Sequence, residues 1–383
     1  MKFAPAAATF ALIGCSGPGP SDGDTEDPCL VSGNICTISG TPEIASYGAE
    51  DIPATESGMY LPVDLTFRPD DGRAYVIDWN NHRIRVIEDD GTIHTVAGTG
   101  FLGDGPPGES LANSFNHPTN LQFDPANPSI LAIAAWHNSR IELLDVDNLT
   151  IDWVAGTGDR NYNGSGGEAT TTDLDLPSSV AWDGTSGELY FFDQANQLIR
   201  VLDVTGKVFD VGGEQRYAGY KGDGGPVTEA NFHASTGQAA DPSNRIEIRD
   251  HVLYLVDSGN HIIRTVDLDT MIVDRYAGIT SHGYSGDGGD ALDAQFSTPR
   301  DLAIGIDGEV YVADTDNHCV RVIRDGIVET VAGICDADDP GFSGDGGPAT
   351  EAQLHKPFGI AVDLEGALYV ADTYNHVIRK ITR

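Results

Sequence analysis

The chain has 383 residues, 40% of them hydrophobic, with 46 glycines and 20 prolines, enough for a large folded core. Its 59 acidic and 22 basic residues leave a formal charge of −37. That field argues against nucleic acid or an anionic lipid face as a direct partner, and it favours solubility or a cationic partner.

The chain opens on Lys2, an apolar stretch from Phe3, and Leu12-Ile-Gly-Cys15. This start resembles a bacterial lipoprotein signal, which implies a signal peptide over 1–14 and acylation of Cys15. An ordinary secretory signal and a misplaced start are the alternatives. Residues 15–34 read as the acylated Cys and a flexible acidic tether rich in Pro, Gly and Asp. No stretch is long enough to span a bilayer as a helix. Cys29, Cys36, Cys319 and Cys335 remain, and an even count outside the cytoplasm suggests two disulfides. Three connectivities exist for them; the local pairs Cys29–Cys36 and Cys319–Cys335 are favoured.

From residue 35 the chain repeats. Ile35-Cys-Thr-Ile-Ser-Gly40 reads as the last strand, d, of a four-strand unit. Later copies are Thr95-Val-Ala-Gly98, Trp153-Val-Ala-Gly156, Tyr217-Ala-Gly219, Tyr276-Ala-Gly278 and Thr330-Val-Ala-Gly333. A glycine-rich connector follows, as in Gly286-Asp-Gly-Gly289 and Gly344-Asp-Gly-Gly347. Glycine there permits positive φ and close backbone approach. Asp104, Asp223, Asp287 and Asp345 are read as capping local amides, with calcium as the alternative. Strand a comes next, near Pro62 or Pro357, and then the phrase Leu368-Tyr-Val-Ala-Asp-Thr-Tyr-Asn-His-Val-Ile-Arg379, which reads as strand b, turn, strand c.

Aligned on the Asp, the phrase recurs at Asp78, Ala135, Asp193, Asp257, Asp314 and Asp372, at intervals of 57, 58, 64, 57 and 58 residues. Its Asn (Asn81, Asn138, Asn196, Asn260, Asn317, Asn375) suits a left-handed position or an Asx-turn. Five copies hold an Arg seven residues after the Asp: Asp78/Arg85, Asp193/Arg200, Asp257/Arg264, Asp314/Arg321 and Asp372/Arg379. The sixth loses both, as Ala135 and Glu142. Joint loss points to a structural ion pair, with metal binding as the alternative. One d, five full sets and a final a-b-c make six sets of four. The expected fold is all-β, a six-bladed β-propeller of four-stranded antiparallel blades over residues 35–383, closed by the N-terminal strand completing the C-terminal blade.

Asn81-His-Arg, Asn260-His-Ile, Asn317-His-Cys and Asn375-His-Val, with Thr330-Val-Ala-Gly and Gly344-Asp-Gly-Gly-Pro-Ala-Thr, resemble the NHL-repeat family, most of all its bacterial and teneurin-type propellers. The Leu of the family phrase is replaced. The resemblance implies the fold. It leaves the function open, because the family includes protein-binding sensors, RNA-binding propellers and a zinc-dependent lyase.

In such a propeller strand a lines the channel. Asp64, Asn120, Ser179 and Asp301, with neighbours Arg300 and Phe358, are then channel-mouth binding candidates, and Gly237 and Gly359 hold the same position in the other two blades. His117, His233 and His355 precede strand a in alternate blades and are weak zinc candidates, His117 being one register out of line. No catalytic residue stands out, and no cofactor is expected unless calcium or zinc. The leading expectation is a secreted, monomeric propeller that binds or scaffolds a protein or small ligand at the bacterial outer membrane or cell surface, held there through its lipid. The alternative is a metal-dependent lyase or hydrolase working at the central channel.

Overall fold

The computed structural model describes residues 27–237, 240–335 and 338–383. The expected signal peptide, Cys15 and most of the tether lie outside the described residues.

Six antiparallel sheets make six blades. Blade 5 shows the pattern: a is Asp301–Ile304, b is Val310–Asp314, c is Cys319–Arg324 and d is Ile327–Ala332. The ring closes through the chain's N-terminal part. Strand Asn34–Gly40 pairs with Val377–Ile381 as strand d of blade 6, with Cys36 opposite Lys380 and Gly40 opposite Val377. Apolar faces of neighbouring blades form the core; Ile77 and Val86 of blade 1 pack with Leu121 and Ile133 of blade 2.

Each blade holds five strands, one more than the repeat suggests. The fifth is a two-residue piece of the connector, such as Gly289–Asp290, which pairs outside strand d of the blade it is about to enter. Two residues are too few to show an alternating pattern, which is why the sequence hides this strand. Tyr217-Ala-Gly219 is also not a strand. Strand d of blade 3 is Lys207–Gly212, and Tyr217 lies in the connector that follows.

Every b–c turn is one turn of 3₁₀ helix, as at Thr315–Asn317. The left-handed residue is the one after the Asn: His82, Ser139, Gln197, His261, His318 and His376 have φ between 51° and 62°. The Asn works through its amide instead. Asn317 donates to Asp314 at 2.9 Å and to the Gly283 carbonyl at 2.8 Å. This turn also dictates the glycine of Val-Ala-Gly. Gly98 has φ +97°, and a Cβ on it would stand 2.4 Å from the His82 carbonyl oxygen.

The disulfides are Cys29–Cys36 and Cys319–Cys335. The first belongs to a segment already folded ahead of the expected boundary at 35. Pro28–Leu30 form a 3₁₀ turn, and the Thr382 hydroxyl donates to the Cys29 carbonyl at 2.8 Å.

Candidate functional site in the central channel

The Asp and Arg of each phrase lie close but are not each other's nearest partners. Arg85, Arg200, Arg264, Arg321 and Arg379 stand 3.8, 3.1, 3.5, 3.8 and 3.7 Å from Asp78, Asp193, Asp257, Asp314 and Asp372, all fully buried. In blades 4, 5 and 6 the short contact is with the connector: Arg264–Asp223, Arg321–Asp287 and Arg379–Asp345 are each 2.6 Å. Those carboxylates therefore neutralise buried guanidinium groups. The Asp of the phrase caps a backbone amide, as when Ser297 N–H donates to Asp314 at 2.7 Å. In blade 2, where that Asp is Ala135, the Asn138 side chain accepts from Asn116 N–H at 2.7 Å instead.

The channel candidates form a belt at the waist of the ring. Asp64 accepts from Leu121 N–H at 2.7 Å, Asn120 from Val180 at 2.6 Å, Ser179 from Ile246 at 2.9 Å and Asp301 from Ile360 at 2.8 Å. Each side chain thus reaches the next blade, and all four are buried. Gly359 closes the belt, because a Cβ there would stand 2.4 Å from the Val63 carbonyl oxygen of blade 1.

Blade 4 fills its place with Arg245, which the repeat pattern did not reveal. The 64-residue interval holds extra chain, and Gly237, assigned to this position by the pattern, is not in strand a, which begins at Ile246. Arg245 spans the channel and bonds Asp64 at 2.5 Å and Asp301 at 2.8 Å. Burial pushes both carboxyls up, Asp301 to about 6, and Arg245 pulls them back. Arg300 and Phe358 lie on the turn side of this bar. Arg300 is buried over the Phe358 ring at 4.8 Å and donates to the Pro242 carbonyl at 2.8 Å. Only about 20 Å³ remains open there.

On the other side of the bar a cavity of about 200 Å³ opens among the a–b loops, lined by Thr66, Phe67, Gln122, Arg245, Glu247 and Leu364. Burial, with the Asp301 charge added, pushes Glu247 to about 8. Gln122 and Glu247 spend one oxygen each on the N–H groups of Trp182 and Ile304. Asp64, Asn120 and Asp301 line this cavity too, from the waist, and it opens at the a–b loop end.

The proposed histidine trio does not assemble. His117 packs with His82, and its Nδ1 is 3.2 Å from His137 Nδ1; burial lowers His117 to about 3 and His137 to about 4. His355 packs against His318 and Tyr374, while His233 N–H donates to Asp257. Among the described residues no three of His, Cys, Asp or Glu stand where they could hold a metal ion.

Residues 296–323 match the NHL repeat family, and residues 326–383 match the teneurin NHL domain. The chain is an NHL-repeat β-propeller. It is 29% identical, over 72% of its length, to the chloroplastic protein SUPPRESSOR OF QUENCHING 1 of Arabidopsis thaliana, and 27% identical, over 86%, to Teneurin-1 of Gallus gallus. It spans only 26% and 13% of those proteins. Among solved structures, an auxiliary nutrient binding protein from Bacteroides thetaiotaomicron shares its fold, with a TM-score of 0.65 at 18% identity over 90% of this chain and 75% of that one.

In this NHL-repeat propeller the histidines of the phrase form a second belt, on the turn face. His376 Nδ1 accepts from Leu61 N–H at 3.1 Å, His82 from His117 at 3.4 Å, His261 from Thr298 at 3.0 Å and His318 from Lys356 at 3.0 Å. Gln197 takes the place between blades 3 and 4, accepting from Ala234 N–H at 2.8 Å. Each of these bonds joins one blade to the next.

Proposed function

We propose that the protein is an exported, lipid-anchored binding module at a bacterial cell surface, monomeric, with the channel cavity as the seat of a small ligand. The observation that carries this reading is the cavity itself. It is pre-formed on strands, walled by Phe67 and Leu364, and holds a few polar groups in Thr66, Gln122 and Glu247. Two disulfides fit an oxidising compartment, and a rigid double-belted ring offers its ligand little ordering cost. The nutrient-binding description of a fold relative suggests a ligand of metabolite size.

Thermal shift of the folded chain against defined sugars, amino acids, dipeptides and alkylamines tests the seat. One class should raise the melting temperature by mass action, and Gln122→Ala should abolish the shift. No stabilisation by any class, or stabilisation untouched in Gln122→Ala, contradicts the channel seat. Labelling with an alkyne fatty acid tests the anchor; incorporation should disappear in Cys15→Ala.

A further inference from the structure

The histidine belt depends on protonation state. Leu61, His117, Thr298 and Lys356 all have positive φ and lie just ahead of the a strands of blades 1, 2, 5 and 6, and each gives its N–H to a ring nitrogen of the blade before. A nitrogen that accepts carries no proton, so each imidazole must be neutral with its proton on Nε2. Adding a second proton sets N–H against N–H and ends the bond. Gln197 shows that the position needs an acceptor and not a titrating group. Its Oε1 accepts from Ala234 N–H, and its amide donates back to the Ala234 carbonyl at 2.9 Å.

We propose that this belt is an acid-sensitive clasp: protonation of His82, His261, His318 and His376 releases the blade-to-blade bonds on the turn face, while the waist belt keeps the ring closed. This claim does not depend on what the channel binds.

The groups around each imidazole set the range in which it works. His376 faces Tyr60 and His355, with Asp78 near; His82 faces His117, with Asp78 near. His261 faces His282, with His233 and Asp316 near, and His318 faces His355. Burial lowers His82, His261 and His376 below their ordinary 6.5, and the Asp charges oppose it. A folded value below the unfolded one leaves the contribution whole above about pH 6.5 and removes it as pH falls toward the folded value. The carboxyls respond with the opposite sign. Asp301, raised to about 6, takes up a proton more readily in the folded state, so the same acidification favours folding at the waist. Mild acid therefore weakens one belt and spares the other.

Amide hydrogen exchange on the full chain at pH 7.5 and pH 5.0 tests the clasp. Protection factors should fall roughly tenfold at Leu61, His117, Thr298 and Lys356, and stay level at Ala234, where Gln197 accepts. Equal behaviour at all five amides overturns the proposal. A variant carrying H82Q, H261Q, H318Q and H376Q should keep its protection at pH 5.0, and a loss equal to the parent's also overturns it. Should that variant fail to fold, the five-amide comparison in the parent decides alone.

Discussion

Arg321 Nη2 stands 2.6 Å from Asp287 Oδ1, closer than the 3.8 Å between its Nη1 and Asp314 of its own phrase. The same guanidinium donates to the Gln295 and Ser285 carbonyls at 2.7 and 2.9 Å. It is a peg that joins connector to blade. Arg321→Met takes the donor from Asp287 and from those carbonyls and the nearby positive charge from buried Asp314, and should cost about 3–5 kcal/mol in chemical denaturation. Exchanging Asp314 and Arg321 should not rescue the loss, because an Asp at 321 cannot donate to the carbonyls. Recovery in the exchanged variant would show a simple pair.

Glu142 occupies the Arg position of blade 2, with Oε2 buried and without a hydrogen-bond partner among the described residues. Burial raises its carboxyl from 4.5 to about 8. A raised folded value means that its contribution is whole below pH 4.5 and is lost as pH rises through 8. Glu142→Gln should match the parent near pH 5 and exceed it by about 1–3 kcal/mol at pH 9. A parent and variant with parallel stability curves would mean that Glu142 is charged and solvated.

The repeat treats Gly359 and Gly237 as equivalents, but the fold does not. A Cβ on Gly359 meets backbone of blade 1, at 2.4 Å from Val63 O and 2.8 Å from Asp64 Cα. Among the described residues nothing lies within 4 Å of a Cβ on Gly237, and its φ of +99° is what opposes a side chain. Gly359→Ala should therefore cost about 1–3 kcal/mol through a forced backbone shift, more than Gly237→Ala. Equal melting temperatures would argue against a tight waist.

Ser139 stands where a histidine or glutamine joins blades elsewhere, and its buried hydroxyl has no hydrogen-bond partner among the described residues. Ser139→Gln should add a bond from blade 2 to blade 3 and gain about 0.5–1.5 kcal/mol. A loss of stability would mean that this junction lacks room for the longer side chain.

The ring was legible because each repeat states its needs in the chain itself. A glycine closes strand d where no Cβ fits, and an Asn three residues after an Asp marks five of the six turns. Arg245 was not legible. Extra residues in blade 4 shift strand a out of phase, and Arg does not resemble the Asp, Asn or Ser that fill the place elsewhere. The histidine belt was hidden for another reason. A bond from His376 to Leu61 joins residues 315 positions apart, and a single repeat contains only one of its ends.

Strand Asn34–Gly40 locks the ring by lying between Val377–Ile381 and Gly347–Pro348. The direct measurement compares calorimetric unfolding of residues 27–383 with that of residues 44–383. Without the closing strand, blade 6 loses its strand d and exposes the edge of Val377–Ile381. The shorter chain should melt well below the longer one and with a broadened transition. Two chains that melt together, with the same sharpness, would contradict closure by the N-terminal strand.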